Sequence, residues 1–162
     1  MKKIIYHTLI FAFAAVYLTA CSTSNTAVNT QQQVSRSDVS GKWTVNNVSL
    51  DGFPAGYSVR NVFDMADYRD FEKSNWILKG NGTGSVSLAN GAVQPIYWSV
   101  NKSGAVNTFQ FKKLADGQKA KNVSTGYSLE FGDVSKGSAV FKTPVSIPGG
   151  QTAYINFSFV KQ

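Results

Sequence analysis

Cys21, His7 and a run of acids, Asp64, Asp67, Asp70 and Glu72, are the side chains whose types and spacing bear most on chemistry in this 162-residue chain. Cys21 is the only cysteine and His7 the only histidine. That excludes a disulfide framework within the chain, a multi-cysteine zinc site and a histidine-rich metal cluster. Asp64, Asp67 and Asp70, at spacing three, could bring oxygens to one helix face for Ca²⁺. The segment lacks the glycine- and carbonyl-rich loop of a calcium site, however, and Arg69 and Lys73 are spaced to pair with these acids on a solvated face. Glycosidase chemistry needs two carboxylates in opposed environments across a cleft, which one short helix does not supply. Serines and threonines abound, but there is no Ser-x-x-Lys or Gly-x-Ser-x-Gly motif, and a hydroxyl nucleophile has no visible base. The reading is a protein that is not an enzyme and needs no metal or cofactor.

Cys21 does have a context that points to chemistry. Lys2 and Lys3 precede an apolar run from Ile4 to about Leu18, which ends in small residues. This is the three-part form of a secretory signal, and the run is too short for the roughly 20 residues of a spanning helix. The step Leu18-Thr19-Ala20-Cys21 resembles the lipobox of bacterial lipoproteins, in which the thiol is lipidated and the chain is cut before it. The resemblance implies a leader over residues 1–20, lipidation of Cys21 and attachment to a membrane. Cleavage there removes two lysines and lowers the formal charge from +7 to +5. Ser22 after the cysteine resembles the pattern sorted onward to the outer membrane, and no acidic cluster follows of the kind that sends lipoproteins to the cell surface. The implied location is the cell envelope, on the outer membrane facing the periplasm, where nucleic acid is not an expected partner.

Residues 21–37 are polar and without period, which predicts a flexible tether, so the folded domain is expected over 38–162. A folded part of this size can bury one core without disulfides, and apolar residues make up 43% of the whole chain. From Val39 onward apolar and polar residues alternate, the period of strands with one buried face. Phe109 and Phe111 flank Gln110; Ile155, Phe157 and Phe159 flank Asn156 and Ser158. Asn81-Gly82, Asn90-Gly91, Asp116-Gly117 and Pro148-Gly149-Gly150 supply turns between them. The spacing predicts strands over about 40–50, 74–80, 84–89, 93–101, 106–113, 122–132, 138–147 and 152–161. A short helix is predicted over Asp64–Ser74, with Asp64 as N-cap and Asp67 at N3, after a short strand around Tyr57–Phe63. Eight hairpin-linked strands bury one face and remove their open edges by closing into an antiparallel up-and-down barrel, with a two-sheet sandwich as the alternative.

Gly41-Lys42-Trp43 at the start of the first strand resembles the Gly-x-Trp of lipocalins. A fuller resemblance, over about Asp38 to Gln162, is to the bacterial lipocalin-like lipoprotein domain. It rests on Phe63-Asp64, Phe71-Glu72-Lys73-Ser74-Asn75-Trp76, Gly82-Thr83-Gly84, Ile96-Tyr97-Trp98 and Gly126-Tyr127-Ser128-Leu129, in that order. The resemblance implies a barrel whose closed end is plugged by Trp43. The chain departs from lipocalins in having no C-terminal helix, no disulfide and, on its last strand, Lys161 rather than an arginine to cover that tryptophan.

If the alternation is read correctly, Trp43, Trp98, Phe109, Phe111, Tyr127 and Phe157 point inward, where they either line a pocket for a small apolar or amphipathic ligand or pack a filled core. The first expectation is non-catalytic ligand binding in the open end of a monomeric barrel. The alternative is a filled scaffold that binds a protein partner in the envelope. Lys112, Lys113, Lys119 and Lys121 gather around Asp116-Gly117 and could meet lipopolysaccharide phosphates or an acidic protein, although a solvated loop that blunts strand edges also accounts for them.

Overall fold

The alternating runs form eight antiparallel strands in a computed structural model that describes residues 33–104 and 106–162. They are β1 (Gly41–Asp51), β2 (Asn75–Leu78), β3 (Thr83–Ser87), β4 (Val93–Asn101), β5 (Thr108–Lys113), β6 (Tyr127–Val134), β7 (Ser138–Ser146) and β8 (Thr152–Lys161). Each strand pairs with its neighbours in sequence, and β1 also pairs with β8, so the sheet is a closed barrel with no free edge. All eight predicted strands are present, and no two-sheet sandwich forms. The leader, Cys21 and the first part of the tether lie outside the described residues.

Buried and less buried residues alternate most clearly along β8, where Ala153, Ile155, Phe157 and Phe159 face inward. Turn chemistry sets the register. Gly82 adopts φ +92° in the β2–β3 hairpin, and a Cβ there would stand 2.9 Å from the Tyr97 ring. Gly84 is fixed by close approach instead, since its Cβ would overlap the Ile77 carbonyl oxygen. A register shift between Val45 and Asn47 bends β1 where it follows β8.

One end of the barrel is sealed by chain that precedes β1. Val34 and Val39 are buried, and Val39 is the last residue of a one-turn helix, α1 (Arg36–Val39). Folded structure thus begins ahead of the predicted boundary at Asp38. Its signal was Ser35-x-x-Asp38: the Ser35 N–H donates to Asp38 Oδ2 at 2.9 Å and the Ser35 hydroxyl donates to the same oxygen. These hydrogen bonds, the hydroxyl's first, hold the Asp38 carboxyl below its ordinary range. Trp43 fills the base of the barrel and donates from Nε1 to the Val39 carbonyl at 2.7 Å. Lys161 Nζ stands 5.0 Å from its ring centre, a cation over an aromatic face in the place the sequence left to this lysine. Asn107, buried, donates to the Val34 carbonyl at 2.8 Å.

The opposite end is crossed by the long connection from β1 to β2, and here the helix prediction fails. Asp64 is not an N-cap but has φ 49°, and the only helical part of Asp64–Ser74 is a 3-10 turn over Tyr68–Phe71 with Asp67 at its cap. Asn61, Phe63 and Lys73 also have positive φ. A helix of this length is marginal in water. The conformation that wins places Phe63 and Phe71 in the barrel and returns Lys73 to β1, through its N–H to the Val45 carbonyl at 2.7 Å. The predicted strand around Tyr57–Phe63 reduces to a single bridge between Val62 and Ala66.

Candidate functional site

The six residues singled out as ligand-lining divide by depth. Trp43 belongs to the closed end. Trp98, Phe109, Phe111 and Phe157 are sealed in the interior, each 1% exposed or less. Phe109 stacks between Trp98 and Phe141, with ring centres 5.8 and 4.9 Å apart, and Trp76 meets Phe111 and Phe159 edge-on at 5.8 and 5.3 Å. Such pairs add to the burial of the rings themselves. Middle and base of the barrel are therefore filled. Tyr127, half-buried at the start of β6, alone of the six reaches the open end.

Three strands and one loop make the mouth. Inward-facing Thr143 and Val145 on β7, Ile155 on β8 and Tyr127 on β6 form one wall, because Thr143 pairs with Ile155 and Val145 with Ala153 across the ladder. Residues 57–63 form the other. Between them lies a hollow of about 430 Å³. Its floor is Phe63, whose ring lies 5.1 Å from Phe111, 5.4 Å from Tyr127 and 5.5 Å from Phe157, wedged into the filled interior from the loop side. The surroundings are apolar below and polar at the rim, where Arg60 is exposed and bonds the Ser58 hydroxyl at 3.1 Å. In the wall, the Thr143 hydroxyl is buried without a hydrogen-bond partner among the described residues. A buried hydroxyl left unpaired is costly, so it favours a bound group that can pair with it.

Tyr127 and Asp64 fasten the loop to the barrel. The Tyr127 hydroxyl donates to Asp64 Oδ2 at 2.7 Å, and Lys113 Nζ donates to the Asp64 carbonyl at 2.9 Å while standing 5.6 Å from the Tyr127 ring centre. Burial, then the hydrogen bond to Asp64 and its negative charge, push the Tyr127 phenol up from 10.0 to about 12. The folded protein therefore holds this proton more tightly than the unfolded chain does. Stability from this source is fully present below pH 10 and is lost as pH rises towards 12. In a spectrophotometric titration one tyrosine should ionise near pH 12, and Tyr127→Phe should remove that step together with the matching slope in stability. A wild type whose tyrosines all titrate near 10 would contradict the contact.

Two of the four clustered acids make side-chain hydrogen bonds that order the loop: Glu72 Oε1 accepts the Val48 N–H at 3.3 Å, and Asp64 accepts from Asn61 Nδ2 at 3.2 Å as well as from Tyr127. Sequence reading missed Phe63, Thr143 and Arg60. Alternation along β7 carried a signal for Thr143, two residues beyond inward Phe141, but the loop residues carried none. Comparison with known proteins found no matching family model, no matching curated protein and no matching solved structure.

Proposed function

We propose that this chain is a lipid-anchored envelope protein, attached through Cys21 to the outer membrane and facing the periplasm, whose lipocalin-like barrel binds a small amphipathic ligand at its open end without catalysis. The observation that carries the reading is the mouth hollow with the buried, unpartnered Thr143 hydroxyl in its wall. An apolar body fits against Phe63, Val145 and Ile155, a polar group meets Thr143, and an acidic head meets Arg60 at the rim. A second reading, a filled scaffold that binds a protein partner, draws support from the sealed rings in the interior.

Two measurements test this. An alkyne fatty acid fed to cells should label the wild type and not Cys21→Ala; equal labelling would remove the anchor. Anilinonaphthalene sulfonate, with apolar rings and one anionic group, should bind one per chain, and Thr143→Val and Arg60→Ala should each weaken it by about fivefold, in keeping with one hydrogen bond or exposed charge contact. Unchanged affinity in both variants would favour the scaffold reading.

A further inference from the structure

A second concavity, on the outer surface of the barrel, borders the mouth at Gly126, Tyr127 and Ser128 and is otherwise lined by different residues. The loop between β5 and β6 arches back over the outward faces of β4, β5 and β6, enclosing a groove of about 630 Å³. The loop is held in place by the sheet. Lys112 Nζ donates to the Val123 carbonyl at 2.7 Å and lies 3.5 Å from that of Ala120, and Gln94 Nε2 donates to the Leu114 carbonyl at 3.0 Å. Its 3-10 turn, Ala120–Asn122, forms the outer wall.

The floor is a row of polar side chains in register. Ser99 pairs with Gln110, Gln110 pairs with Ser128, and Tyr97 pairs with Lys112 one step along. Across two strand spacings the row Ser99–Gln110–Ser128 spans roughly 10 Å, about the length of two linked sugar rings. It offers hydroxyls and an amide that both donate and accept, beside the ring of Tyr97. Charge in the groove has one sign. None of the lining residues described is acidic, and among the described residues Lys121 on the outer wall has no partner and Lys112 bonds only backbone carbonyls, which leave its charge unneutralised. Among the lining residues described, Ala120 is the only one with a purely aliphatic side chain, and the rings and lysine stems that supply the other apolar surface favour the face of a sugar over an acyl chain.

We infer that this groove is a binding site for an acidic saccharide, with hydroxyls on the Ser99–Gln110–Ser128 row, a sugar ring against Tyr97, and a carboxylate towards Lys121 and Lys112. The groove shares the start of β6 with the mouth, but Gln110 and Lys121 line only the groove and Thr143 only the mouth.

Trigalacturonic acid and neutral galactotriose serve as probes, titrated into the full chain and followed by isothermal calorimetry. The acidic trimer should saturate below about 1 mM and bind about tenfold more tightly than the neutral one. Lys121→Met should remove that difference and leave the neutral trimer unaffected, Gln110→Leu should weaken both, and Thr143→Val in the mouth should change neither. Both substituted groove positions are at least partly exposed, and unchanged thermal unfolding confirms that each variant is folded. No saturation by the acidic trimer up to about 10 mM would overturn the inference. So would equal binding of the two trimers, acidic-trimer affinity unchanged by the groove substitutions, or full displacement by equimolar inorganic phosphate, which would identify a simple anion site.

Discussion

Phe109→Ala should lower the free energy of unfolding by about 3–5 kcal/mol, through lost transfer energy and the cavity left behind. The ring is fully buried between Trp98 and Phe141 and also touches Trp76, Phe111 and Phe131. Close-packed rings around such a site cannot collapse without leaving their own contacts, so the upper part of the range is expected. Chemical denaturation with coincident fluorescence and circular dichroism transitions measures it. A loss below about 1 kcal/mol would mean that the ring already faces open space and that the filled interior is wrong. Because the mouth lies above this layer, affinity for anilinonaphthalene sulfonate should change far less than stability.

Phe63→Ala should have an effect of similar size and a different character. About 3 kcal/mol of stability should be lost, because a buried ring packed against Phe71, Trp76, Phe111, Tyr127 and Phe157 is removed. The space released joins the mouth hollow, so small apolar molecules of the size of benzene should then bind where the wild type excludes them. The backbone adds a second signature. Phe63 has φ 55°, a left-handed conformation that costs a non-glycine residue about 1–2 kcal/mol. Phe63→Gly should therefore be more stable than Phe63→Ala by about 1 kcal/mol, reversing the usual penalty for glycine. If alanine proves the more stable of the two, the loop does not hold this conformation in solution.

The two variants also mark where the sequence was legible. Phe109 sits in a strand of strict alternation, and alternation with Asn-Gly and Gly-Gly turns determines which face is buried and which strands are neighbours. With eight such strands, closure of β1 on β8 follows from the cost of open ladders. Phe63 sits where no periodicity operates. Its burial depends on positive φ at Asn61, Phe63 and Asp64: asparagine and aspartate tolerate that conformation but also suit helix caps, and nothing in a phenylalanine announces it. The same gap produced the helix expected over Asp64–Ser74: its acidic start and basic partners satisfy local helix rules, but burying Phe63 and Phe71 outweighs one or two helical turns. At the other end Ser35-x-x-Asp38 was a readable cap inside a segment whose composition reads as tether, and the neighbouring Val34 and Val39 decide the matter by burial. In the candidate site, alternation was sufficient to send the six aromatic residues inward, but their depth depends on what else enters the barrel, which strand parity does not report.

That the ligand sits at the mouth, above a filled interior, is the central claim, and methyl resonances provide its most direct measurement. With the methyl groups of Val, Ile, Leu and Thr labelled, decanoate is titrated into the full chain and the chemical-shift changes are mapped. Shifts that saturate together at Val59, Val62, Thr143, Val145 and Ile155, with Val45, Val86 and Leu129 unmoved, are the expected result, since the first group borders the hollow and the second lies sealed in the interior. Saturating shifts at Val45, Val86 and Leu129, or no saturable shift at Thr143 and Val145, would contradict it.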